Sequence, residues 1–111
     1  MRKLILLLML MFAVDAYAYT GNDLNIGSLE FEKYERGQEY DSYQIAEYFG
    51  YLEGVKDVLH GIAFCLPIHS TNGQYYKIVA KYLNNNPDKL HLSAFELVAN
   101  ALAEAFPCKK K

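Results

Sequence analysis

Few side chains in this 111-residue sequence have the types and spacings that support covalent chemistry. Glu53 and Asp57 stand one helical turn apart, where two carboxylates can share acid and base work. A structural use of the pair is the stronger reading: Glu53 solvated, and Asp57 bonded to a neighbouring helix end or loop. His60, His69 and His91 show neither i,i+4 pairing nor an H-E-x-x-H arrangement, so each reads as a surface or capping residue and not as a metal ligand. Cys65 and Cys108 are the only thiols, and once paired they leave no thiolate nucleophile. No G-x-S-x-G elbow and no phosphate-cradling glycine loop occurs. The expectation is a protein that is not an enzyme and needs no metal or cofactor.

A tyrosine-rich chain points instead to binding, because tyrosine joins a large apolar area to a hydrogen-bonding tip. Helical spacing puts Tyr48, Tyr75 and Tyr82 on buried stripes, so at least part of the tyrosine set serves the core. Tyr76 and Tyr43 are the better candidates for exposure.

The elements that must position these residues begin after an export leader. Arg2 and Lys3 precede an apolar run from Leu4 to Val14, followed by the small-residue pattern Ala16-Tyr17-Ala18. The run is shorter than the roughly 20 residues a membrane-spanning helix needs, so residues 1–18 are expected to be cleaved after Ala18, leaving no stable membrane anchor. Cleavage removes Arg2, Lys3 and Asp15, leaving nine basic and twelve acidic residues and a net charge near −3. Such a domain is a poor ligand for a phosphate backbone, and its one basic cluster, Lys109 to Lys111, reads as a solvated tail. No nucleic-acid partner is expected.

Outside the cytoplasm two cysteines have one possible pairing, Cys65 with Cys108. On the chain-entropy model that closure is worth about 4 kcal/mol, comparable to the net stability of a small domain.

The N-terminal segment, residues 19–41, allows a short helix between Asp23 and Arg36 that carries Leu24, Ile26, Leu29 and Phe31, followed by a linker from Gly37 to Tyr40. A helical domain is expected over residues 42–111. Its first helix is capped by Asp41 or Ser42, and Ile45, Tyr48, Leu52, Val55, Leu59 and Ile62 form the seam. A second stripe, Ala46, Gly50, Gly54 and Gly61, is small enough to suggest close approach of a neighbouring backbone. Pro67 ends the element, and Thr71 or Asn72 caps the next helix, whose apolar face is Tyr75, Ile78, Val79, Tyr82 and Leu83. Asn84, Asn85 and Asn86, with Pro87 behind them, stop it. The last helix starts with Ser93 and Glu96 at capping-box spacing and Leu92 and Leu97 at staple spacing; Phe95, Val98, Leu102 and Ala105 are its expected buried stripe. No alternating apolar run argues for a sheet. The class is all-α: a small helical bundle of three clear helices and a weaker N-terminal one, clipped by one disulfide.

Gly50-Tyr51-Leu52-Glu53-Gly54-Val55-Lys56-Asp57 resembles the G-Y-x-x-G-x-x-D core of the Rap/Tai family of type VI secretion amidase immunity proteins. Cys65-Leu66-Pro67, then Tyr82-Leu83 with Asn86-Pro87, then Ala101-Leu102 with Ala105-Phe106-Pro107-Cys108 are similar to later segments of that family, in the same order. The resemblance runs from about Ser42 to Cys108. It implies a periplasmic helical protein, often dimeric, that binds a peptidoglycan amidase and blocks its groove. Gly50, Tyr51, Gly54 and Asp57 would be the family motif, packing helices together. By analogy, the loop Asn84 to Asp88, comprising Asn84, Asn85, Asn86, Pro87 and Asp88, would meet the enzyme with Tyr76 nearby. Many members carry a further cysteine pair, where this chain has residues such as Ser28 and Tyr48; its loss predicts a less firmly attached N-terminal segment. An acid-stress periplasmic chaperone of the HdeA type is the alternative from another class, although its first cysteine lies early in the mature chain and Cys65 lies late. A non-enzymatic periplasmic scaffold is a third reading.

Overall fold

The computed structural model describes residues 2–4 and 18–109, so most of the leader read from the sequence lies outside the described residues. Between residues 18 and 109 four α-helices follow one another: α1 (Gly21–Glu35), α2 (Ser42–Leu59), α3 (Asn72–Asn85) and α4 (Ala94–Ala105). A 3-10 turn, Pro87–Lys89, joins α3 to α4. Among the described residues β structure is limited to two isolated bridges, Thr20 with Ser93 and His60 with Phe64. The expected all-α class holds, and the disulfide is present, joining Cys65 to Cys108 with their Cα atoms 4.8 Å apart.

Helix α1 starts earlier than the sequence pattern suggests. The Asp23 carboxylate accepts from the Thr20 backbone N–H at 2.9 Å and from the Thr20 hydroxyl at 3.1 Å, which pins the first turn. Its buried face is Leu24, Gly27, Ser28 and Phe31, spaced i, i+3, i+4 and i+7. Ile26 and Leu29, expected to contribute apolar surface, face solvent. The helix packs on each of the other three. Three backbone bonds fasten its start to the α4 end: Gly21 N–H to the Leu92 carbonyl (2.9 Å), Asn22 N–H to the Leu90 carbonyl (2.8 Å) and Ala94 N–H to the Tyr19 carbonyl (2.9 Å).

The N-terminal segment is therefore placed against the residues leading into α4 by backbone bonds and against α2 by close packing. Where α1 crosses α2, Gly27 leaves room for the neighbouring backbone, since a Cβ there would lie 2.5 Å from the Gln44 carbonyl oxygen and 2.6 Å from Tyr48 Cβ. Ser28 and Tyr48 are both buried.

In α2 the Asp41 carboxylate accepts from Tyr43 N–H (3.0 Å) and Gln44 N–H (3.3 Å), so of the two possible caps Asp41 is the one used. Ile45, Tyr48, Leu52 and Val55 point into the core as expected. The seam stops there: the helix ends at Leu59, and Ile62 lies in the turn beyond it, exposed. The small-residue stripe also departs from expectation. No neighbouring atom comes within 4 Å of a Cβ built at Gly50, Gly54 or Gly61, so within this chain these glycines admit no close backbone.

Helix α3 uses Thr71 as its cap, with the Gln74 side chain reaching back to Thr71 N–H at 2.7 Å. Tyr75, Val79, Ala80 and Leu83 are buried, and Ile78 and Tyr82 are half-buried. Helix α4 begins after Ser93, but the Ser93 hydroxyl makes no capping bond; the first N–H of the helix, that of Ala94, donates instead to the Tyr19 carbonyl. Its buried face is Ala94, Leu97, Val98, Ala101 and Leu102. Phe95 and Ala105, placed on that face from the sequence, are on the outside. The true stripe includes Ala94 and Ala101, whose small side chains carry a weak hydrophobic signal beside that of Phe95. At the far end, Cys65 N–H donates to the Phe106 carbonyl at 2.9 Å, so a backbone bond and the disulfide together tie the end of α4 to the α2–α3 connection.

Candidate partner-binding surface

The residues weighed for catalysis are occupied or exposed singly. Glu53 accepts from the Tyr76 hydroxyl at 3.0 Å and pairs with Lys56 at 2.6 Å, while Asp57 is exposed. The Glu53 contact raises the Lys56 ammonium pKa. His60 accepts Leu66 N–H on Nδ1 at 3.3 Å, and His69 and His91 are exposed. Among the described residues no group of His, Cys, Asp or Glu could hold a metal ion, and no helix is long and apolar enough to cross a membrane.

The segment Asn84 to Asp88 forms the corner between α3 and the 3-10 turn. Pro87 opens that turn, its fixed φ suiting a first helical position. Asn84 donates to Glu32 on α1, and Asn86 donates to the Tyr82 carbonyl at 2.8 Å, so both amides brace the corner. Asn84, Asn85, Pro87 and Asp88 are exposed and Asn86 is half-buried; Asn85 and Asp88 are the exposed polar side chains not engaged in that bracing. The corner separates two open clefts. One, against α1, is lined by Glu32, Glu35, Lys77, Lys81 and Asn84. The other, against α4, measures about 430 Å³ and is lined by Lys81, Tyr82, Asn85, Asn86, Lys89 and Glu104. Both mix charges of the two signs, a surface suited to oriented polar contacts.

Tyr76 does not join this corner. It lies eight residues earlier on α3, about 12 Å along the axis. Its ring stacks on Phe49 at 3.9 Å, and its carbonyl accepts from the Tyr48 hydroxyl at 2.6 Å. Burial and the Glu53 carboxylate push its phenol pKa up to about 12. Phe31, Tyr48, Phe49 and Tyr76 thus form one aromatic cluster joining α1, α2 and α3. Tyr43 is exposed as expected.

In the G-Y motif, the Tyr51 ring lies 4.8 Å from that of Tyr19, so this tyrosine holds the entry to α1. Burial, with Glu47 and Asp23 nearby, raises the Tyr19 phenol pKa to about 12. Gly50, Tyr51, Gly54, Val55 and the exposed Phe95 line a shallow apolar cleft on the outer side of α2 and α4. Sequence reasoning passed over one further surface feature, the exposed aliphatic side chains Val58, Ile62 and Ile68 around the α2–α3 connection. The signal that could have found them is the absence of acidic and basic residues in that stretch.

Comparison with known proteins returns one family. The family model of the Rap1a immunity proteins matches residues 20–108, which spans all four helices and both cysteines. No curated protein matches the sequence. With nearly the whole chain covered, the protein belongs to the Rap1a immunity protein family.

Proposed function

We propose that the protein is a periplasmic immunity protein that binds a peptidoglycan amidase delivered by type VI secretion and occludes its active site. The family match over residues 20–108 carries the reading. The residues read as an export leader support the compartment, because an amidase that attacks the cell wall acts outside the cytoplasm and its antidote has to be there.

Occlusion requires no catalytic group, only a rigid complementary surface. The corner Asn84–Asp88, with Asn85 and Asp88 exposed, is the proposed polar contact, and Tyr76 supports it from within the aromatic cluster. The motif residues Gly50, Tyr51, Gly54 and Asp57 shape the outer face of α2, and a homodimer is proposed from the family resemblance.

The test is titration of the oxidised mature protein into a purified type VI peptidoglycan amidase while cleavage of isolated peptidoglycan is followed. Inhibition at one-to-one stoichiometry is the expected result. Unchanged cleavage at micromolar concentrations of the protein would refute the reading. Sedimentation equilibrium of the free protein decides the dimer.

A further inference from the structure

From Val58 to Tyr76 the chain contains no Asp, Glu, Lys or Arg, although 22% of its residues are charged. A proportional share over these nineteen positions would be about four. Depletion of charge is the compositional mark of an interface core. Between residues 18 and 109 this stretch is also where the large aliphatic side chains are most exposed: Val58 at 62%, Ile62 at 76% and Ile68 at 95%. An isolated exposed aliphatic residue needs no explanation, but three around one uncharged connection do.

The connection is held in shape. Phe64 is fully buried beneath it. Gly61, at φ +86°, turns the chain so that its N–H reaches the Phe64 carbonyl at 2.7 Å. Cys65 is fixed by the disulfide and by its bond to Phe106. The Ser70 hydroxyl donates to the Pro67 carbonyl at 2.6 Å and meets the Tyr75 hydroxyl at 3.1 Å. Ile62 and Ile68 are thus presented on an ordered scaffold, which lowers the entropy lost when a partner binds.

We propose that the α2–α3 connection is an apolar peg, with Ile62 and Ile68 at its tip, that inserts into an uncharged cleft of the amidase toxin. The proposal rests on the immunity reading and adds a contact at the opposite end of α3 from Asn84–Asp88. Fourteen helical residues separate the two sites by about 20 Å. Surface area selects the occupant. Three exposed aliphatic side chains offer on the order of 400 Å², about half of what each partner contributes to a stable interface. Two copies meeting through these three side chains alone fall short of that area, whereas a cleft closing around the connection covers its flanks as well. A charged wall would be desolvated against this loop without a counter-charge, so the cleft has apolar walls.

The experiment measures affinity between the full mature, oxidised protein and the purified amidase effector encoded in the same type VI secretion gene cluster, for wild type and for the double variant Ile62→Asp/Ile68→Asp. Both side chains are exposed, so circular dichroism and the thermal midpoint should not change; the milder Ile62→Ser/Ile68→Ser pair replaces the first variant if it does not fold. A loss of at least about 100-fold in affinity is expected for the folded variant. Equal binding by wild type and variant would overturn the peg and leave the immunity reading intact. Failure of the wild type to bind that amidase would overturn both. A wild-type homodimer that the double substitution dissociates, with amidase affinity unchanged, would reassign the loop to self-contact and also overturn the proposal.

Discussion

The Tyr76 ring lies flat on that of Phe49, centroids 3.9 Å apart and planes inclined by 12°, while its hydroxyl reaches the Glu53 carboxylate at 3.0 Å. One side chain therefore bridges α3 to two successive turns of α2. Replacing Tyr76 by Phe keeps the stack and removes the hydrogen bond; Glu53 keeps Lys56 as a partner, so the cost should be about 0.5–1.5 kcal/mol. Replacing Tyr76 by Ala also removes the half-buried ring and should cost about 2–4 kcal/mol. Urea denaturation of the two variants separates these contributions. Equal stability of Tyr76→Ala and wild type would show that the cluster does not hold the helices together.

Two glycines in neighbouring helices should respond oppositely to the same substitution. A Cβ at Gly27 collides with the α2 backbone and Tyr48, so Gly27→Ala forces α1 away from α2 and should destabilise by about 1–3 kcal/mol. A Cβ at Gly54 meets open space inside a helix, so Gly54→Ala should stabilise by about 0.5–1 kcal/mol through backbone entropy alone. Thermal midpoints moving in opposite directions would bear this out. A destabilising Gly54→Ala would mean that something covers this face of α2 in solution.

Much of this arrangement was legible from residue types. The caps at Asp41 and Thr71, the seam Ile45, Tyr48, Leu52 and Val55, and the Asn-Pro stop after α3 are local features written in side-chain chemistry. What escaped was decided by tertiary contacts. The inner face of α1 contains Gly27 and Ser28, which a hydrophobic pattern scores as breaks, yet their small size is what lets α2 approach. Ser93 has the residue type of a capping-box serine, but Tyr19, 74 positions earlier in the chain, satisfies the helix start instead. Among the candidate contacts, the sequence brought Tyr76 and Asn84 to Asp88 together by proximity on one helix, whereas packing commits Tyr76 to the interior cluster. The exposure of Ile62 and Ile68 depends on where α2 ends, and the periodicity continued past that point.

The disulfide closes a sequence separation of 43 that contains all of α3 and all of α4. Its removal should lower unfolding free energy by up to about 4 kcal/mol. Because Cys65 also bonds to Phe106 through the backbone, the Cys65→Ser/Cys108→Ser protein should lose protection first at residues 60–70 and at the end of α4. Hydrogen exchange on the oxidised and Ser-substituted proteins reads this directly. Uniform loss of protection across all four helices would indicate that the bridge acts only on the unfolded chain.

Alkaline pH should dismantle the fold from its tyrosines. The Tyr19 and Tyr76 phenols have pKa values raised to about 12, chiefly by burial, and Tyr48, deep in the core, is shifted further in the same direction. A group whose pKa is higher folded than unfolded stabilises the fold fully below its unfolded value, near 10, and ceases to do so as pH rises through the folded value. Stability should therefore be level with respect to these groups up to about pH 10 and fall between about pH 10 and 12. Chemical denaturation over this range, with ultraviolet titration of the phenolate band, checks the sign. Burial raises the Tyr51 phenol as well, so Tyr76→Phe should reduce the slope by deleting one of four shifted phenols. A slope unchanged in that variant would assign the alkaline loss to Tyr19, Tyr48 and Tyr51.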